Sequence, residues 1–159
     1  MRDYADQRAW SDQFIPDIRR IVGRHLLNEA PERLDRLEAT DLMMLNARDR
    51  RIAARVRRNW ASQRYPNQFT LRSRIPSGGK TELAKIIEGK GDWMFYGFAD
   101  ESDSTVERWM LLDLNVFRSA LIRRHSSPIR CGDMHMSDGT SFKWFDVGSF
   151  PTELVIAMT

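Results

Sequence analysis

Cysteine is all but absent from this chain: Cys131 stands alone among 159 residues, so no intramolecular disulfide can form. A lone thiol fits a reducing compartment. No apolar run approaches the roughly 18 residues that a membrane helix needs. The opening Met1-Arg2-Asp3-Tyr4 lacks the apolar core of a secretory signal, so cytoplasm is the expected compartment. Internal repeats, low-complexity tracts and linker-like stretches are missing too, and a single domain over residues 1–159 is the expected organisation. Serine or cysteine nucleophile motifs do not stand out.

What is present is an ordinary globular composition, 42% hydrophobic and 30% charged, with a net charge of only +3. The distribution of charge says more than its sum. Residues 48–74 hold nine arginines, no lysine and one acid, Asp49, for a local charge of +8 against −5 in the rest of the chain. An all-guanidinium field suits forked contacts to phosphate. The same pattern also arises when an arginine-rich face pairs with acids elsewhere in the fold, and the sequence leaves both readings open.

Trp10, Phe14, Ile18, Ile21, Val22 and Leu26 recur at three- and four-residue steps and predict a helix that Pro16 breaks or restarts. Three strands follow, at 37–45, 51–58 and 68–74. In the second, Ile52, Ala54 and Val56 alternate with Arg51, Arg55 and Arg57; in the third, Phe69 and Leu71 alternate with Thr70, Arg72 and Arg74. Paired as neighbours, these two strands would present a basic sheet face. A short helix is expected at 80–88 on a Leu83, Ile86 and Ile87 stripe, ended by Gly89 and Gly91, then strands at 92–99 and 107–114, a helix at 116–123, and strands at 141–147 and 153–158. The fold class is α/β (α+β), a mixed, mostly antiparallel sheet with flanking helices.

Helix, three antiparallel strands, helix and strand resembles the αβββαβ core of the PD-(D/E)XK nuclease superfamily, the restriction-endonuclease-like fold, in a phage-type guise. Asp41, in Thr40-Asp41-Leu42, matches that family's strand aspartate, and Arg55-Val56-Arg57 stands where its acidic-x-Lys triplet belongs. The resemblance covers roughly residues 7–99. It implies DNA as partner and, for an active enzyme, phosphodiester hydrolysis with Mg²⁺ held by Asp41 and by a second acid relocated to Glu82, with Glu29 or Glu32 as further ligands. Arg57 would replace the lysine's charge, whereas Arg55 cannot ligate a metal. Arg51, Arg55, Arg58, Arg72, Arg74 and Lys80 would grip the backbone. A catalytically silent relative holding DNA or a protein partner is the alternative, and Asp41 could equally be a structural carboxylate paired with Arg55 or Arg57.

Two further motifs carry less. Ser77-Gly78-Gly79-Lys80-Thr81 is similar to a phosphate-binding loop, but the first required glycine falls at Arg74. His125, Cys131, Asp133 and His135 match no standard zinc spacing and are expected in a loop. Trp60 and Tyr65, lying among the arginines, are candidates for base stacking, while Trp93, Phe95, Tyr96 and Phe98 are expected in the core.

Overall fold

The computed structural model describes residues 4–26, 28–29, 42–43, 50–123 and 128–159. Helix α1 (Tyr4–Asp12) gives way to α2 (Ile15–Leu26), with Pro16 in the first turn of α2. There the missing N–H of proline removes no helical hydrogen bond. Strands β1 (Asn28–Glu29) and β2 (Leu42–Met43) pair antiparallel. The rest of the strand expected at 37–45, Asp41 included, lies outside the described residues.

The remaining strands form two sheets. One, in the order β3-β5-β6-β9, contains β3 (Ile52–Arg57), β5 (Trp93–Ala99), β6 (Val106–Asp113) and β9 (Val155–Met158). The other, in the order β4-β8-β7, contains β4 (Gln68–Arg74), β8 (Ser141–Asp146) and β7 (Cys131–His135). All pairings are antiparallel except β3 with β5, whose parallel register sets Ile52 beside Trp93 and Arg57 beside Phe98.

Here the structure departs from the expected order. β3 and β4 are not a hairpin, because a short helix, α3 (Asn59–Arg64), carries the chain from one sheet to the other. The two arginine-bearing strands therefore face each other across a gap instead of sharing one sheet surface. β7, where a loop was expected, is the second correction. It forms a hairpin with β8 whose tight turn has Gly139 at φ +83°, and Gly132 lies so close to the Trp144 indole that a Cβ would come within 2.7 Å of it.

β5 holds the layers together. All seven of its residues are buried. Trp93, Phe95 and Ala99 face Phe14, Ile18, Ile21 and Val22 of α1–α2, while Met94, Tyr96 and Phe98 face the second sheet and helix α5 (Leu114–Ile122). Asp17 on α2 accepts from the Val106 N–H at 3.0 Å, which pins the helix to the start of β6. On the other side Phe69, Phe117, Phe145 and Phe150 stack within 5.1–6.1 Å of one another. Helix α4 (Glu82–Ile87) starts on the Thr81 hydroxyl, which caps the Ala84 N–H; it buries Ile86 but leaves Ile87 exposed, contrary to the stripe expected there.

Phe145→Ala should open a cavity at the centre of this cluster and cost about 3–5 kcal/mol. Ile87→Ala should stay within about 0.5 kcal/mol of the parent. Urea unfolding midpoints compare the two; equal losses would show that the aromatic cluster is not the core.

Candidate nucleic-acid interface

β3 is an edge strand, and its side chains divide by face. Ile52 and Val56 turn to α2, while Ala53 packs in the core beneath the second sheet. Arg55 and Arg57 share Ala53's side and reach toward β4 and α4. The Arg57 Nη1 donates to the Thr70 hydroxyl at 2.9 Å and to the Tyr96 hydroxyl at 3.3 Å, and those two oxygens are 3.0 Å apart. Arg55 Nη2 donates to Glu82 Oε2 at 2.8 Å, and the same oxygen accepts the backbone N–H of Arg72 at 3.1 Å. One carboxylate thus joins α4, β3 and β4.

Arg55, Arg57, Arg72 and Glu82 line an open cleft of about 1230 Å³, bounded by α1 with Asp6 and Asp12, by Asp103 in the β5–β6 turn, and by Met134, Met136 and Phe142 of the β7–β8 hairpin. The guanidiniums of Arg55 and Arg72 lie over the Phe142 ring at 5.1 and 5.6 Å. Burial pushes the Arg55 guanidinium below arginine's ordinary value; Glu82 and Tyr96 oppose this, while the charges of Arg57 and Arg72 add to it. Arginine stays protonated under such pressure. The neighbouring cations register a local excess: three guanidiniums against one carboxylate. The Arg72 Nε is buried with no hydrogen-bond partner among the described residues.

Most of the other arginines in the basic segment are neutralised or seated on rings. Arg58 pairs with Asp103, which has φ +56°, and stacks 4.5 Å over Trp10. Arg51 pairs with Asp92 at 3.4 Å, Arg50 lies over Trp93 and Arg64 over Tyr65. Arg57 lies 5.6 Å from the centre of Trp60, which is 53% exposed at the cleft mouth. Arg55, Arg57, Arg58 and Arg72 line this cleft between two sheets instead of one exposed sheet face, and Arg55 is mostly covered. Arg74 is exposed and lies outside this cleft, as does Lys80, which pairs with Glu88 at 2.8 Å.

Glu82, the candidate relocated metal ligand, has guanidinium and amide donors as its partners. Among the described residues no three His, Cys, Asp or Glu side chains gather where they could hold a metal ion. A donor set of one carboxylate bound to arginine does not fit Mg²⁺, which takes carboxylate oxygens and water. Asp41 and Glu32 lie outside the described residues, and of Glu29 only the backbone is described. Cys131, Asp133 and His135 sit on the exposed side of β7, where Asp133 pairs with Lys143 and His135 meets the Ser141 hydroxyl at 2.9 Å.

Sequence reasoning missed Met134 and Met136 because 131–135 was expected as loop; Phe142 lies in the strand expected at 141–147, but its place under Arg55 and Arg72 depends on the sheet pairing. The Asp138-Gly139 pair before an alternating run is a hairpin signal that would have found them. It also missed Trp10 and Asp103, which no local pattern marks. No protein-family model, curated protein or solved structure matches the chain. No helix among the described residues is long and apolar enough to cross a membrane.

Two outcomes follow from these contacts. Glu82→Ala leaves a covered guanidinium and a strand amide without their acceptor and should lower stability by about 1–3 kcal/mol, with Glu82→Gln intermediate; equal melting of both variants and the parent would contradict the joint described. The Asp92 carboxylate is held below its ordinary value, chiefly by the Arg51 N–H at 2.8 Å and also by the Arg51 side chain. A depressed folded-state pKa contributes stability above the unfolded value of about 3.9, and that contribution is lost as pH falls through the folded value. Asp92→Asn should therefore narrow the stability gap between neutral and acid pH, read from urea midpoints across the acid range; an unchanged gap would remove Asp92 from the acid response.

Proposed function

We propose that this protein binds nucleic acid, DNA in the first instance, along the cleft between its two sheets, and that it holds the strand without cutting it. The observation that carries this reading is the excess of cation at the cleft floor, where the guanidiniums of Arg55, Arg57 and Arg72 lie together and the one carboxylate, Glu82, bonds to the Arg55 side chain and the Arg72 backbone. Arg57 and Arg72 have no carboxylate partner among the described residues. Arg57 makes its described hydrogen bonds through a single nitrogen, Nη1, so the rest of its fork remains available to phosphate. Guanidinium forks bind phosphate oxygens in pairs, and such contacts position a strand irrespective of its sequence. Trp60 beside Arg57 offers an exposed ring on which a base can stack.

Holding is favoured over hydrolysis by the same residues. The resemblance to PD-(D/E)XK nucleases asks for an acid where Arg55 stands, and the acid nearest to it in space, Glu82, is bound to Arg55 itself. A carboxylate neutralised by a guanidinium is a poor metal ligand and a poor base. The proposal therefore keeps the family's polyanion partner and leaves its metal-dependent chemistry aside.

The test is fluorescence anisotropy with labelled oligonucleotides over a series of salt concentrations. Arg57→Ala/Arg72→Ala should weaken binding about tenfold or more and flatten the dependence of log K on log salt by about 1.4 for a single strand, two phosphate contacts at roughly 0.7 each. Equal affinity and slope in parent and variant would overturn the reading, as would a parent that binds no oligonucleotide.

A further inference from the structure

A second cleft, of about 570 Å³, opens on the other side of the Arg55–Glu82 pair. Ala53, Ile75 and Ile86 give its lining an aliphatic part, and six cations line it against one acid: Arg51, Arg55, Arg72, Lys80, Lys85 and Lys90 against Glu82. Arg51 and Lys80 are paired with Asp92 and Glu88, whose carboxylates lie outside the lining. Lys85 and Lys90 are exposed and have no acidic partner among the described residues. The two clefts share three residues, Arg55, Arg72 and Glu82, so the ion pair is the ridge between them. Cations without carboxylate partners thus run from Arg57 through Arg72 on the ridge to Lys85 and Lys90.

We infer that one single-stranded nucleic acid crosses this ridge and occupies both clefts, with its phosphates on Arg57 and Arg72 in the first and on Lys85 and Lys90 in the second. This deepens the binding reading and rests on it. The shape of the surface selects a single strand over a duplex. A duplex is a stiff rod with its bases turned inward, and it can lay phosphates only along the rims of two concavities divided by a ridge. A single strand bends at each nucleotide, so its phosphates meet the cations while its bases enter the clefts, one toward Trp60 and the next over Ala53 and Ile75. Binding sites of this kind span about 4–16 nucleotides.

The experiment compares a single strand of about 16 nucleotides with its duplex, on the parent chain, on Lys85→Ala/Lys90→Ala and on Arg57→Ala/Arg72→Ala. Anisotropy gives affinity and salt slope, and titration at high concentration gives stoichiometry. Both lysines are exposed, so an unchanged thermal melt should accompany the substitution. The expected result is one strand per chain, with the lysine pair lowering single-strand affinity about tenfold and the salt slope by about 1.4, and duplex affinity changing less than about twofold. Two strands per chain would mean two independent sites and would overturn the inference. So would single-strand affinity unchanged by the lysine pair, or a duplex bound by the parent as tightly as the strand. If the arginine pair still weakens binding in those cases, the first cleft keeps its proposed role; if no oligonucleotide binds the parent, the binding reading itself has failed.

Discussion

The contact on which the rest of the structure depends is the carboxylate of Glu82. Its Oε2 accepts from the Arg55 side chain on one sheet and from the Arg72 backbone on the other, while its own helix packs against β4. β3 and β4 share no strand hydrogen bonds, so this oxygen and the Arg57–Thr70–Tyr96 group are the polar joints between the sheets at this end. Placing an arginine there has a cost in desolvation that the lone carboxylate offsets only in part, which is why Arg55 titrates below arginine's ordinary value. A hydrophobic pair could join the sheets as firmly. It would not leave a cleft with positive charge on its floor.

Much of the local structure was legible from periodicity. Trp10 to Leu26 reads as helix because its apolar residues recur every three or four positions, and β3, β4 and β5 read as strands from their alternation or unbroken apolarity. Pairing was not legible. Arg51 to Arg58 and Gln68 to Arg74 are adjacent in sequence, similar in pattern and separated by a proline turn, all of which suit a hairpin. The six residues of α3 redirect the chain, and nothing in Asn59-Trp60-Ala61-Ser62-Gln63-Arg64 announces a helix strongly enough to outweigh a turn. The parallel partnership with β5 leaves β3 at the edge of its sheet, with β4 in the other.

The site was half legible for a related reason. A run of nine arginines marks a basic segment, but the partners that decide its meaning are distant in sequence: Asp92 for Arg51, Asp103 for Arg58, Glu82 for Arg55. Much of the +8 of that segment is consumed within the fold by these acids. Six of its arginines also lie on aromatic faces, which hold guanidinium planes without neutralising them. Among the described residues of the segment, Arg50, Arg57, Arg64, Arg72 and Arg74 have no carboxylate partner, and of these Arg57 and Arg72 line the first cleft.

The proposed reading favours recognition over chemistry. Phosphodiester hydrolysis needs groups that change their bonding during the reaction: a base to take a proton from water, or a metal to lower its pKa, with donors aimed at the charge that develops on phosphorus. The floor of this cleft holds arginines, which keep their protons throughout, and Glu82, bound to one of them; its walls add Asp103, paired with Arg58, Asp12, paired with Arg8, and Asp6. Guanidiniums seated on Phe142 and Trp60 are held in fixed planes, which reduces the entropy lost when a phosphate arrives, and binding gains from preorganisation without any proton moving. In the proposed reading, guanidiniums that keep their protons on the cleft floor hold a polyanion without any proton moving.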